Sequence, residues 1–248
     1  MNPTSNYHGK TVAITGATGA YGQELADAFE SLGARLLLSD AMHSHARPHG
    51  SPNWRYKQAD LSAAEDIESL AQWLLSEGTP DVLINNAGLF PFVDVLEISP
   101  QASQAIFSVN LNAPLRLMQR IGSAMADRGS GVICNISSGA ASVVRENGAV
   151  YGASKSALEQ LTRAFALRLG PNGVRVNAVR PGLRGNTLEG IPAEHMQRVG
   201  STVPLRRLAQ QGEVASAVTF LCSEAAAFIT GEVLAVDGGN GINRRIQS

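Results

Sequence analysis

Thr15-Gly-Ala-Thr-Gly-Ala-Tyr-Gly22 follows a short apolar run, residues 10–15, and opens a stretch, 21–32, with helical periodicity. A glycine loop between a strand and a helix is a ready anion site. Glycine lets the main chain approach a diphosphate, and the helix start supplies N–H donors and the positive end of its dipole. Gly16, Gly19, Tyr21 and Gly22 are therefore candidate contacts of a dinucleotide. Such a loop belongs to a parallel sheet with crossover helices, so the same alternation is expected along the whole chain.

It is there. Apolar runs at 35–39, 54–59, 81–85, 131–137, 173–179 and 232–236 alternate with helical stretches at 63–76, 100–126, 150–169 and 212–222. This predicts an α/β fold: a single-domain, Rossmann-like, doubly wound parallel sheet of about seven strands with helices on both faces. The length of 248 residues, 44% hydrophobic and 17% charged, suits one such domain over 1–248. Residues 1–8 read as a polar N-terminal arm. Segments 41–53 and 183–205 are rich in loop formers and read as loops, the second as a substrate loop, because loops of that length are usually functional.

A net charge of −1 with scattered basic residues gives no electrostatic footprint for nucleic acid or an anionic membrane, so the expected partner is a small molecule. Arg206-Arg207 and Arg244-Arg245 are the only basic doublets. The two cysteines, Cys134 and Cys222, have neither metal-site nor disulfide-framework spacing and read as core thiols. The N-terminus lacks the apolar stretch of a signal peptide and no 18-residue apolar run occurs, which points to a cytoplasmic location.

Asp40 closes the second strand, about where a ribose-binding carboxylate belongs. It would accept hydrogen bonds from ribose hydroxyls, whereas a 2′-phosphate would meet like charge, so NAD is expected over NADP. Arg47 and the nearby histidines offer a phosphate some counter-charge.

Tyr151 and Lys155, in Val150-Tyr-Gly-Ala-Ser-Lys155, share one helix face. A phenol is too weak an acid for chemistry near neutrality, and an adjacent ammonium favours the phenolate, so the spacing can supply both a proton-transfer group and its tuner. With four tyrosines and three lysines in the chain, such a pair is rare by chance.

Taken in order, these residues resemble the short-chain dehydrogenase/reductase family in its compact branch, over nearly the whole chain. The marks are Gly16 to Gly22, Asp40, Asp60, Asn85-Asn-Ala-Gly88, Asn110, Ser138, Tyr151 with Lys155, Pro181-Gly182, Ile229-Thr-Gly231 and Asp237-Gly-Gly239. The resemblance implies an NAD(P)-dependent alcohol dehydrogenase or ketone reductase in which Tyr151 exchanges a proton with the substrate oxygen. Lys155 would lower the Tyr151 pKa and hold the nicotinamide ribose, and Ser138, in preference to Ser137, would bind the same oxygen. Pro114 has no N–H to offer the Asn110 carbonyl, and the family uses an asparagine there to hold a relay water. Asp60 and Leu61 would flank the adenine, Asn86, Ala87 and Gly88 would line the cofactor cleft, and Pro181, Gly182 and the Arg184 backbone would border the nicotinamide. Relatives are commonly homotetramers built on helices near 100–126 and 150–169, where Leu158, Leu161 and Phe165 fit either an interface or the sheet.

The chain departs from the pattern in two places. Ala20 stands where the compact branch has its middle glycine, with Gly19 one place early, the spacing of the extended branch; length and the C-terminal marks favour the compact one. Arg184 and Asn186 replace the usual apolar residue and threonine after Pro181-Gly182, with Thr187 next; Arg184 is either an anion-binding or a solvated side chain. His43, His45 and His49 lack the acidic surroundings of a metal site, and none is expected. Arg145-Glu-Asn147 borders the substrate entrance or is a solvated turn, and Phe90, Phe92, Val143 and Val144 suggest a partly apolar pocket. Two other functions compete: a 3-oxoacyl-thioester reductase using NADPH, and a catalytically idle NAD-binding scaffold.

Overall fold

In a computed structural model, residues 6–42, 53–184 and 193–242 are described. Seven strands, β1 (Thr11–Thr15), β2 (Arg35–Asp40), β3 (Trp54–Gln58), β4 (Val82–Asn85), β5 (Gly131–Ile136), β6 (Val174–Pro181) and β7 (Val233–Val236), form one sheet in the order β3-β2-β1-β4-β5-β6-β7. Every pairing is parallel. The direction of winding reverses between β1 and β4, and a crevice opens beyond their C-terminal ends, the usual ligand position in such sheets.

Strand alternation divides the interior into two layers. Val12, Ile14, Leu36 and Leu38 face one side and pack with Phe29 of α1 (Ala20–Ser31) and Val218 of α7 (Glu213–Cys222). Ala13 and Leu37 face the other, with Leu70 of α2 (Ala64–Ser76) and Leu158 of α5 (Ala149–Leu169). Cys134 and Cys222 are buried free thiols in the first layer; the Cys222 thiol beside it, then burial, push the Cys134 pKa up. Tyr7, within the stretch read as a polar arm, is itself buried: its ring meets Phe29 edge-on at 4.8 Å and its hydroxyl donates to the Thr219 carbonyl at 2.8 Å.

The stretch read as one helix over 100–126 is three pieces: α3 (Pro100–Phe107), a π-helical turn (Ser108–Asn112) and α4 (Ala113–Arg128). Pro114 cannot donate to Asn110, and the ladder widens just before it: the Ala113 N–H reaches back five residues to the Ser108 carbonyl. The reading of 183–205 as all loop is also corrected, since α6 (Ala193–Thr202) lies inside it. Gly200 and the Ser-Thr end weaken its helical propensity, which hid it. Arg47, His43, His45, His49, Asn186, Thr187 and the Arg244-Arg245 doublet lie outside the described residues. No described helix is long and apolar enough to cross a membrane.

Candidate active site

The strand ends open into one cleft of about 1140 Å³. Every residue expected to touch a cofactor lines it, as do Ser138, Tyr151 and Lys155; Asn110 does not.

At the glycine loop, packing explains two of the three glycines. Gly16 has φ +66°, and a Cβ there would lie 2.7 Å from the Ala87 Cα; one on Gly22 would lie 2.0 Å from the Gly16 carbonyl oxygen. Gly19 differs: it is the N-cap of α1, and only the Gly16 oxygen, at 3.5 Å, lies within reach of an added Cβ. Asn86 fixes the loop to the end of β4, donating through Nδ2 to the carbonyls of Thr15 (3.0 Å) and Gly16 (2.9 Å). The first turn of α1 has no side-chain cap and no acidic residue. Its N–H groups and dipole are thus available to an anion, and these residues fit a dinucleotide diphosphate. Ala20 is an exposed first helical residue and distorts nothing.

Asp40 lies at the far edge. Its carboxylate accepts the Thr18 N–H (2.9 Å) and hydroxyl (2.7 Å) and the Ala41 N–H (2.8 Å), which orients it into the cleft with lone pairs to spare. Asp60 accepts the Ser62 N–H at 2.9 Å, and that bond holds its pKa below the usual carboxylate value. Leu61 is buried beside it.

At the other end, Ser137 and Ser138 separate by strand alternation. The Ser137 hydroxyl donates to Glu159 at 2.6 Å, away from Tyr151, while Ser138 neighbours the Tyr151 phenol. Burial raises the Tyr151 pKa and Ser138 opposes it. Lys155 is 3% exposed; its ammonium donates to the Ile136 carbonyl at 2.8 Å, and desolvation lowers its pKa to about 8. The expected lowering of Tyr151 by Lys155 is therefore not what this arrangement gives: the ammonium sits 5.8 Å from the ring centroid, turned to a carbonyl, and desolvation dominates both groups.

Asn110 is fully buried. Its side chain accepts the Leu89 N–H (2.8 Å) and donates to the Leu89 carbonyl (3.0 Å) and the Ser154 hydroxyl (3.1 Å), clamping the segment after β4 to α5. Its Oδ1 and the Lys155 ammonium flank the same side of Gly88, 3.7 and 3.6 Å from where a Cβ would stand.

Arg184 corrects both of its readings. It is 7% exposed and its guanidinium lies 2.6 Å from Glu24, itself buried on α1, whose other oxygen accepts the Gly212 N–H at 3.3 Å. The charge is neutralised inside the protein, and the pair ties the chain after β6 to α1. Tyr21 reinforces the same junction, donating to the Gly182 carbonyl at 3.4 Å with Arg184 beside its ring. Glu24 was not singled out from sequence; the signal was an acid on the apolar face of α1, next to Leu25 and Ala26. Thr18 and Glu159 were missed too, though Glu159 stands one turn beyond Lys155 on the same helix face.

A family model described as enoyl-(acyl carrier protein) reductase matches residues 16–240. Galactitol 2-dehydrogenase (L-tagatose-forming) of Cereibacter sphaeroides is 33% identical over 93% of this chain and 94% of its own. Cis-4-hydroxycyclohexanecarboxylate dehydrogenase of Sinomonas cyclohexanicum is 31% identical over 93% and 96%. Among solved structures, a short chain dehydrogenase from Leptospira borgpetersenii with bound NAD+ superposes with a TM-score of 0.88 at 27% identity, covering 97% of this chain and 96% of that one. A putative NAD(P)-dependent gluconate 5-dehydrogenase from Beutenbergia cavernae with bound NADP also scores 0.88, at 32% identity over 96% and 99%. The fold and these likenesses define a dehydrogenase-type oxidoreductase. The chain belongs to the short-chain dehydrogenase/reductase family.

Proposed function

We propose that the protein is an NAD(H)-dependent oxidoreductase interconverting a secondary alcohol and a ketone, with Tyr151 as general acid/base. The observation that carries this reading is the convergence of Ser138, Tyr151 and Lys155 in the same cleft as the glycine loop and Asp40. A dinucleotide bound there would supply the two-electron chemistry, as hydride acceptor or donor.

The protein's own residues handle the proton. Burial disfavours both the Tyr151 phenolate and the Lys155 ammonium, which stand on one helix face of the cleft. Tyr151 takes the hydroxyl proton in oxidation and gives it back in reduction, and Ser138 orients the substrate oxygen. Asn110 holds Leu89 and Ser154 in place behind the lysine, and its main-chain carbonyl is assigned to the relay. Gly16, Gly19 and Gly22 would hold the diphosphate, and Asp40 would take the adenosine ribose and disfavour a 2′-phosphate, which supports NAD over NADP.

Replacing Tyr151 by Phe is expected to lower kcat by about 10²–10⁴ while leaving the Kd for NADH within about twofold. Turnover like that of the unaltered enzyme would overturn the assignment. Against the thioester-reductase alternative, whose carrier is commonly met by basic surface, stands the pairing of Arg207 with Glu213 at 2.6 Å. Retention of Ser138, Tyr151 and Lys155 in one cleft speaks against an idle scaffold. Leu161 and Phe165 pack against the core, whereas Leu167 and Phe228 are exposed and would be covered in the homotetramer that belongs to this proposal. A cytoplasmic setting and a substrate-covering role for residues 183–205 complete it.

A further inference from the structure

We infer that the substrate end of this cleft takes a secondary alcohol on an apolar skeleton that also carries a carboxylate, with Arg145 receiving the carboxylate. The inference rests on the dehydrogenase reading above and specifies its substrate class.

The wall beside Tyr151 is apolar. The Phe90 ring centroid lies 4.5 Å from that of Tyr151, tilted by 57°, and Phe92 meets Phe90 edge-on at 5.8 Å. Phe90 is 44% exposed and Val144 95% exposed, and both line the cleft with Val143. None of these side chains offers a donor or acceptor, so a chain of hydroxyls placed there would lose water without replacement. An alicyclic or aliphatic skeleton would instead bury surface that the protein already exposes.

This wall is built rather than incidental. The Val95 N–H donates to the Glu146 carbonyl (3.1 Å), the Gly148 N–H donates to the Val93 carbonyl (3.0 Å), and Asp94 pairs with Asn147 in an antiparallel bridge. Gly148, at φ +84°, has no Cβ where one would stand 3.1 Å from the Phe90 ring, and so admits the ring. The aromatic wall and the Arg145 segment thus form one zipped lip.

Charge selects the second feature. Arg145 lines the cleft and has no ion-pair partner among the described residues. The other cations of the cleft are engaged, Lys155 by the Ile136 carbonyl and Arg184 by Glu24. The lining carboxylates lie elsewhere: Asp40 and Asp60 at the strand ends opposite, and Asp237 holding the Gly239 and Gly241 N–H groups. A cation without an ion-pair partner, in the segment zipped to the apolar wall of the cleft that also holds the proton-transfer tyrosine, fits a hydroxy acid on an apolar skeleton.

The test compares cis-4-hydroxycyclohexanecarboxylate, its methyl ester and sorbitol by NADH formation, together with calorimetric binding of cyclohexanecarboxylate, which has no hydroxyl to oxidise. The acid is expected to exceed the ester in kcat/KM by about fivefold and to exceed sorbitol further. Arg145→Leu should bring the acid-to-ester ratio close to one, Arg145→Lys should retain most of it, and cyclohexanecarboxylate should bind the unaltered protein more tightly than the Leu variant. Equal use of acid and ester, a preference for sorbitol, or calorimetric binding indifferent to Arg145 overturns the inference. Absence of turnover on all three with either dinucleotide would instead strike the dehydrogenase reading, and the calorimetry would still decide the role of Arg145.

Discussion

Glu159 grips Arg180 with both carboxylate oxygens, Nε to Oε1 at 2.9 Å and Nη2 to Oε2 at 2.7 Å, and the same Oε1 receives the Ser137 hydroxyl at 2.6 Å. One helical glutamate thereby joins the end of β5, next to Ser138, to the end of β6, next to Pro181-Gly182. Glu159 is 5% exposed. Removing one partner strands the other, whereas replacing both with apolar groups can be nearly neutral. Glu159→Ala is expected to lower stability by about 2–4 kcal/mol in urea denaturation, and the double variant Glu159→Met/Arg180→Met to recover most of that loss. Equal loss in the two proteins would show that the pair carries no mutual dependence.

The division of labour in this site explains what the sequence revealed. The glycine loop, Asp40, and Tyr151 with Lys155 are legible because each is a local pattern with a chemical reason, and the sheet is legible because alternation and strand–helix succession are local too. Glu24, Glu159 and the fate of Arg184 depend on pairing across 160, 21 and 160 residues respectively, which no local pattern encodes. Likewise the π-turn at Ser108–Asn112 required knowing that the helix would accommodate Pro114 by widening rather than by bending. Periodicity cannot tell these apart. The Tyr151–Lys155 spacing gave the neighbours correctly but not the balance of energies, since burial rather than the ammonium governs the phenol.

The glycines of the loop make separable demands. A methyl group at 22 would fall 2.0 Å from the Gly16 carbonyl, a backbone atom that cannot step aside, whereas at 19 it meets only that oxygen at 3.5 Å. Gly22→Ala is therefore expected to destabilise the fold by more than about 2 kcal/mol. Gly19→Ala should stay within about 1 kcal/mol in the free protein. If Gly19 serves the diphosphate, its variant should lose NADH affinity in fluorescence titration despite a normal melting temperature. Equal stability of the two variants would contradict the close approach of α1 to the loop.

Lys155 makes a pH-dependent prediction. Its ordinary pKa of 10.5 falls to about 8 in the folded protein because the ammonium is desolvated. Between those values the unfolded chain holds a proton that the folded chain has released, so stability rises with pH across roughly 8 to 10.5, and the full penalty applies below 8. Lys155→Met removes that penalty along with the bond to the Ile136 carbonyl. At pH 7 the variant should be more stable by about 2 kcal/mol after the lost hydrogen bond is subtracted, a rise of several degrees in Tm. The advantage should shrink toward pH 10 and reverse once Lys155 is neutral in both states, because only the hydrogen-bond loss then remains. Tyrosines titrating in the same range are common to both proteins and largely cancel in the difference. Melting curves at pH 7, 8.5 and 10 that differ by a constant amount would show that Lys155 is not desolvated as its burial requires.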